Sequence, residues 1–412
     1  MTNAQSRVFS GRWLWGVAAI TLLGAVLRES VLILIGLLTL LTIGGGWLWS
    51  RAIFRNVVVA RTLRSERVFP GEQVTLQIHV INRKLLPLAW LKIEDQLPSA
   101  LQIVEQGTHS AVGTAGQTLR ITTAIRWYEQ VTWTFHLTCP VRGCYTLGPI
   151  SLQSGDLFGL FTVSQHIEDS NTIMVYPRII SLDQLDISAR QLFGDQRVQR
   201  RIIIDPSQSI GVRDYRPEDS IRHIHWAATA RAQKLQTKVF EPSTSVQQVV
   251  FLNLDTHNPY WEGLDSERAE NAITVAATIA IHALRERQVV GVYASGMIVG
   301  SDQPLRIRAS RNPTQASAIL TGLARLSPIA AIDFPGFLQA ESAQIPAGST
   351  IVIVTAVMTD RLAAIMADLH RMRRRLVLVA IGEVAIPPIR GLDRVCVDEA
   401  RLNGTHMNAP RV

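Results

Sequence analysis

Cysteine is nearly absent from this 412-residue chain. Cys139, Cys144 and Cys396 are too few for a disulfide framework. The C-x4-C pair has no further Cys or nearby His to complete a zinc site. Reduced, buried thiols are therefore expected. P-loop, G-x-S-x-G and H-E-x-x-H patterns are also missing, so no nucleotide, serine-hydrolase or zinc-protease signature is present. A concentrated basic face with interleaved aromatics is lacking too. The one tight basic run, Arg371-Met-Arg-Arg-Arg375, closes a predicted helix where cations suit the dipole, and no nucleic acid is indicated as a partner. Finally, charge is missing from two stretches, WLWGVAAITLLGAVL at 13–27 and VLILIGLLTLLTIGGGWLW at 31–49.

A bilayer core needs about 20 apolar residues in a helix, or about 17 for a short span. The two runs fit as spans of about 11–27 and 31–49, so residues 1–50 read as a transmembrane helical hairpin. Trp13, Trp15, Trp47 and Trp49 sit at its outer ends, where indoles favour the interface. A cleaved signal peptide has one apolar core, and a soluble hairpin is less continuously apolar. Arg7 and Arg12 precede the pair and Arg51, Arg55, Arg61, Arg64 and Arg67 follow it, while Arg28 in the turn is offset by Glu29. The positive-inside rule then puts both termini in the cytoplasm, with residues 50–412 as a cytoplasmic body of a multi-pass membrane protein. The net charge of +8 divides into +2 for residues 1–50 and +6 beyond, an excess that suits an anionic membrane surface.

From 51 to 180 the signal is β. Val74–Val80 and Val131–Leu137 alternate apolar and polar residues, and turn signals fall at Pro70-Gly71, Asn82-Arg83, 113–116 and Gly148-Pro149. Short alternating strands without an amphipathic helix predict an antiparallel β-sandwich. After a charged segment, 181–245, the period changes. Apolar strands at 248–254, 289–294, 349–355 and 376–381 alternate with helices at 266–287, 313–326 and 359–373. Ala269, Ile273, Ala276 and Ala280 mark one face of the first helix. This is the pattern of a parallel sheet covered on both faces, so residues 246–412 read as an α/β domain. Ligands in such folds gather at the carboxyl ends of strands, which directs attention to Asp255.

The densest polar stretch is GVRDYRPEDSIRHIHW, residues 211–226. The pattern Arg213-Asp214-Tyr215-x-Pro217-x-Asp219-x-x-Arg222-x-Ile-His225-Trp226, continuing to Arg231 and Lys238-x-x-Glu241, resembles the domain of unknown function 58 family. So do Arg142-Gly143-x-Tyr145-x-Leu-Gly-Pro149 and Ser154-x-Asp156-x-Phe-Gly-Leu160. Glu218 departs from the family's usual glycine. The resemblance covers most of the chain. It implies a membrane hairpin, a β domain and a von Willebrand factor A-like (Rossmann-like) domain, in a prokaryotic cell (inner) membrane. It also implies a MoxR-type AAA+ ATPase as partner; an enzymatic activity is not among its implications.

Von Willebrand factor A-like domains often hold Mg²⁺ through Asp-x-Ser-x-Ser after the first strand, because a hard cation wants oxygen ligands. Here the stretch is Asp255-Thr-His-Asn-Pro259, with both serine positions lost to His257 and Pro259. Thr355 and Asp360 could contribute from a later strand end, yet the ligand set is incomplete, and no cofactor is expected. In the 211–226 stretch, Pro217 and its neighbouring carboxylates read as a helix start. His223 and His225 would then point about 200° apart on a helix and share no ligand. As an ion-paired strap, Arg213, Arg216 and Arg222 would pair with Asp214, Glu218 and Asp219 while Tyr215, Ile221 and Trp226 anchor it. As a docking surface, the same arginines and Trp226 would face a partner. The chain as a whole reads as a membrane-anchored, cytoplasm-facing scaffold or adaptor in protein-complex assembly or maturation. The alternatives are a metal-dependent hydrolase using Asp255 and the His223/His225 region, and a lipid- or envelope-component-binding module.

Overall fold

A computed structural model describes residues 3–6, 16–19, 21–22, 26–105, 112–115, 118–188, 192, 203–217, 219, 221–243, 247–258, 263–386 and 391–404. The chain divides into two compact units, Met1–Tyr176 and Pro177–Val412.

The first unit opens with strand β1 (Asn3–Ser6) and contains one long helix, α1 (Ser30–Ala52). Twenty-three residues at about 1.5 Å each give α1 a length that spans a hydrocarbon core of about 30 Å. It is the one helix among the described residues long and apolar enough to cross a membrane, and little of its surface is covered by protein. The first predicted span, 11–27, lies largely outside the described residues, but 16–19, 21–22 and 26–27 are helical. Thr21 packs on Gly36 so closely that a Cβ there would overlap its methyl group. Small residues permit such close helix–helix approach in membranes.

Two antiparallel sheets follow. One runs β2 (Val57–Leu63), β4 (Gln73–Asn82), β9 (Gln130–Thr138), β6 (Gln102–Glu105). The other runs β1, β12 (Phe161–Ile167), β11 (Ile150–Gly155), β5 (Leu88–Gln96), β8 (Thr118–Ile125), β7 (Val112–Ala115). A small sheet joins β10 (Gly143–Thr146), β13 (Thr172–Val175) and β3 (Arg67–Val68). The alternation in β4 buries Val74, Leu76, Ile78 and Val80 against Leu91 and Ile93 of β5 and Phe135 of β9, which makes the sandwich-like core. His79, on the opposite face, bridges the Thr62 and Thr132 hydroxyls at 3.1 and 2.9 Å. Buried Arg61 of β2 ties the two sheets together by pairing with Asp95 of β5 at 2.8 Å.

The second unit contains a two-stranded ribbon, β14 (Ile203–Asp214) with β15 (Gln236–Ser243), flanking helix α2 (Trp226–Ala232). Its main sheet has the order β18 (Pro304–Ser310), β17 (Val289–Ile298), β16 (Gln247–Leu252), β20 (Thr350–Thr355), β21 (Arg375–Ile381), β22 (Asp393–Val397). Strands β16, β17, β20, β21 and β22 are parallel, β18 is antiparallel, and β19 (Leu326–Ala330) pairs with β17. Helix α3 (Ser266–Arg285) packs Ala269, Ile273, Ala276 and Ala280 with Val250 and Leu252, alongside α4 (Gln315–Ala324). On the other face, α5 (Phe334–Ser342) and α6 (Asp360–Arg371) cover Val249 and Phe251. Helix α7 (Glu399–Gly404) follows β22. The apolar strands are therefore buried on both faces, as their continuous runs require.

The sequence expectation did not include β18, β19, β22 or α7, and three further features depart from it. The ribbon was not expected, because Pro206 and register shifts at Ile204, Ser209 and Gly211 interrupt its pattern. Helix α5 was not expected because Pro335-Gly336 reads as a turn. Asp333 caps it by accepting from Gly336 N at 3.0 Å. Cys139 is buried as expected, but Cys144 is half-buried and Cys396 exposed.

Candidate functional site

The 211–226 stretch is built on the β14–β15 ribbon, where Arg213 lies opposite Thr237 and Asp214 opposite Gln236. Tyr215 N continues the pairing to Leu235 O at 2.9 Å. The chain then folds back on itself. Both terminal nitrogens of the Arg213 guanidinium donate to Asp219, at 2.8 and 2.6 Å. Asp219 Oδ2 also accepts from Arg216 N at 2.9 Å, closing a loop over Pro217. The Arg213 hydrogen bond, followed by the Arg216 amide, holds the Asp219 carboxyl below the usual carboxylate range. Asp214 instead accepts from the Gln236 amide.

After a 3₁₀ turn at Ile221–His223, Ile224 is buried and bridges to Thr237. His225 N donates to Gln236 O at 2.8 Å, and its Nδ1 accepts from Ala228 N at 3.1 Å. His225 is thus the N-cap of α2, which satisfies a donor that the first helical turn leaves unpaired. Thr229 Oγ accepts from Gln236 N at 3.0 Å and ties the helix to the ribbon.

Three expectations for this stretch need correction. The helix begins at Trp226, not near Pro217, because residues 224–225 are held by backbone bonds to 236–237. Trp226 and Ile221 are 67% and 70% exposed, so neither anchors the strap; Ile224 does. Arg213 pairs with Asp219, while Asp214 bonds an amide in place of an arginine. Arg231 is exposed in the last turn of α2, and Lys238 is half-buried opposite Val212. Glu218 and the side chains of Arg222 and Glu241 lie outside the described residues.

The second candidate place is the carboxyl end of the parallel sheet, at the reversal of strand order between β16 and β20. Buried Asn253 donates to Thr355 Oγ1 at 3.1 Å and accepts from Asp255 N at 3.1 Å. Ser295 Oγ accepts from Leu254 N at 3.0 Å, and Thr355 Oγ1 donates to Val357 O at 2.6 Å. Burial, reinforced by the negative charge of Asp333, raises the Asp255 carboxyl above its usual range against the pull of Asn253. Asp333 itself pairs with Arg361 at 2.9 Å. Thr256 Oγ1 accepts from Asp265 N at 3.0 Å and lies 3.2 Å from His257 Nδ1. Asp360 is the first residue of α6 behind the Thr359 cap, and Pro259 lies outside the described residues.

The hydroxyls that could serve a hard cation are therefore committed to backbone positions. No group of three His, Cys, Asp or Glu side chains able to hold a metal ion occurs among the described residues. Among the described residues the donors do not make up a complete Mg²⁺ shell. Asn253, Ser295 and Asp333 were missed by sequence reasoning. The polar interruption of the apolar run at Asn253 was the available signal. A cleft of about 280 Å³ between the 179–187 segment and α3 is lined by Ile180, Leu182, Ile187 and Thr278. It falls below the range of about 300–1,000 Å³ usual for small-molecule sites.

Residues 211–387 match the family described as "Protein of unknown function DUF58". A curated relative, "Uncharacterized protein YeaD" of Bacillus subtilis (strain 168), is 23% identical over 247 residues. The alignment covers 59% of this chain and 56% of the relative, so the chain spans about half the length of the protein it matches. Among solved structures, a non-cellulosomal cohesin from Archaeoglobus fulgidus is 12% identical and covers 29% of this chain and 91% of its own, with a TM-score of 0.22. A Salmonella alpha-2-macroglobulin is 14% identical and covers 30% of this chain and 9% of its own, with a TM-score of 0.25. At these TM-scores neither likeness assigns a fold. The region of family similarity begins at the strap, Gly211, and runs through β21 of the parallel sheet, ending before β22.

Proposed function

We propose that the chain is a membrane-anchored scaffold or adaptor whose strap is read by a partner protein, the partner being a MoxR-type AAA+ ATPase. The observation that carries this reading is Trp226. Its side chain stands in solvent at the head of a capped helix, while Asp214 and Asp219 of the same stretch are consumed by internal bonds. An exposed tryptophan on a braced element that also carries Arg213 and Arg231 has the composition of an interaction hot spot. Asp214, Asp219 and His225 are engaged in building the strap, which speaks against their serving as a free base in a cleft.

The von Willebrand factor A-like reading of the second unit is supported by the strand order, with an antiparallel edge strand, and by Asp255 at the carboxyl end of the first strand. Anchoring in a prokaryotic cell membrane is supported by α1. A two-span arrangement is supported by the packing of Thr21 on Gly36 and by β1. Because β1 pairs with β12 of the unit that α1 leads into, the chain leaves and re-enters one body, which favours an even number of crossings. Both termini would then share the cytoplasmic side. Against the metal-dependent hydrolase stands the use of His225 as a helix cap.

The test is co-purification of the full chain with the cognate ATPase from membranes. Trp226→Ala and Arg213→Ala are expected to weaken the association while leaving thermal unfolding within about 1 kcal/mol for the exposed tryptophan. Undiminished association with both variants refutes the strap as the docking surface.

A further inference from the structure

We propose that the pole of the β unit at which α1 ends is itself a lipid-binding surface, seated in the headgroup layer of an anionic phospholipid bilayer. This rests on the reading of α1 as a membrane span. The strands define the pole. β4 ends at Asn82, Arg83 N donates to Asn56 O at 2.9 Å, and Tyr128 N donates to Lys84 O at 3.3 Å. Lys84 Nζ donates to the carbonyls of Ala52, Ile53 and Arg55, so the 83–87 loop clasps the carboxyl end of α1. β11 pairs Ser154 with Leu91 of β5, which brings the 156–160 turn to the end of the unit where β5 begins. That turn also reaches α1. A Cβ on Gly46 would meet the Phe161 ring at 3.2 Å and Asp156 Oδ2 at 3.3 Å.

At this one pole Leu85, Trp127, Tyr128, Leu157 and Phe158 are each 60–75% exposed. Large apolar side chains gathered at one end of a unit mark an interaction surface. Three observations say that lipid covers this one. The patch is continuous with the exit of an apolar helix. Gly46 is six residues from the end of α1, about 9 Å along its axis, so the 156–160 turn lies level with Trp47 and Trp49. There, Trp47 carries the Arg51 guanidinium at 3.9 Å over its ring, an aromatic–cation pair suited to the interface. Finally, Arg55, Arg83 and Arg126 are exposed on the same loops, matching anionic headgroups.

The turn is built to present its apolar tip. Asp156 is buried and its two oxygens accept from Phe161 N at 2.6 Å and Phe158 N at 3.0 Å. Gly159 adopts a φ of +70°, which glycine takes without strain. Leu157 and Phe158 are therefore fixed outward before any contact, so insertion orders little further chain.

The full chain, with Cys139→Ala, Cys144→Ser and Cys396→Ser, would be reconstituted into vesicles of equal parts phosphatidylcholine and phosphatidylglycerol. An environment-sensitive fluorophore is attached at Phe158→Cys, and in a second sample at Gln73→Cys, which begins β4 about 30 Å from Asn82. At 158, quenching by lipid nitroxides placed near the headgroup and several-fold protection from aqueous iodide are expected; at 73, neither. Alkaline carbonate extraction is run on the same vesicles. If the chain resists extraction but the 158 fluorophore is as open to iodide as that at 73, α1 is inserted and the lipid surface is refuted, leaving a protein as the cover. If the chain is extracted, the anchor reading fails, and the proposal with it. A photo-crosslinking phenylalanine analogue at 158 in the otherwise native chain provides a second readout: capture of phospholipid supports the proposal, and its absence overturns it.

Discussion

Removing the Arg61 charge should destabilise the β unit in a strongly pH-dependent way. Both side chains of the Arg61–Asp95 pair are 0% exposed. Arg61 is fully occupied: it donates to Asp95 Oδ1 and Oδ2 at 2.8 and 3.1 Å, to Asn171 Oδ1 at 2.8 Å and to Asp169 O at 2.6 Å. Burial nevertheless pushes the Asp95 carboxyl up to about 6, against the pull of Arg61, so desolvation outweighs pairing. A folded pKa raised about two units makes a contribution of about 3 kcal/mol that is present below about pH 4 and is lost as pH rises through 6. Arg61→Met strands the carboxylate, at a cost of about 3–5 kcal/mol near pH 8. The stranded group takes up a proton more readily still, so the cost shrinks toward about pH 5. The replacement Arg61→Met with Asp95→Leu removes both charges and is expected to recover most of the loss. For a unit of this size, the single substitution lowers Tm by roughly 10 °C. Hydrogen exchange of peptides from 57–96 in the full chain, across pH, measures the effect within the unit. A pH-independent loss, or a double variant as unstable as the single one, refutes the reasoning.

Asp255→Asn should raise the stability of the second unit above neutral pH, because it removes a carboxylate whose pKa is raised by burial and by Asp333; calorimetry across pH shows the sign. Isothermal titration of the full chain with Mg²⁺ is expected to give no heat that Asp255→Asn abolishes, and such a heat would revive the metal reading. His225→Ala removes the cap of α2 at a cost of about 1 kcal/mol, read as faster exchange of amides 228–232. Exposed Cys396 should react with a thiol reagent well before Cys139, which is buried and whose thiol is pushed up to about 11; equal rates contradict its packing.

Hydrophobic period made most of the fold legible. Runs buried on both faces, such as Val249–Leu252 and Ile351–Val354, and alternating runs, such as β4, declare their surroundings residue by residue. Two of the elements that were missed, the ribbon and α5, lack such a face. β14 and β15 pair mainly with each other, and the longer strand contains a proline and two register shifts. α5 starts with Phe-Pro-Gly and exists because Asp333 caps it and Phe334, Phe337 and Leu338 are buried. In both cases pairing or burial against segments distant in sequence contributes what local spacing does not encode.

The site was less legible because titratable groups look the same whether they do chemistry or hold a turn. The 211–226 stretch concentrates eight ionisable side chains besides Tyr215, yet Asp219 closes a loop, Asp214 holds Gln236 and His225 caps a helix. What distinguishes these uses is the presence of backbone donors within bonding distance, which depends on the ribbon partner at 235–238. Trp226 carried two readings, an anchor of the strap and a side chain facing a partner, and its exposure removes the first. It faces outward because the ribbon holds residues 224–225 extended, so burial passes to Ile224 and the following helix starts one residue later, on the open side.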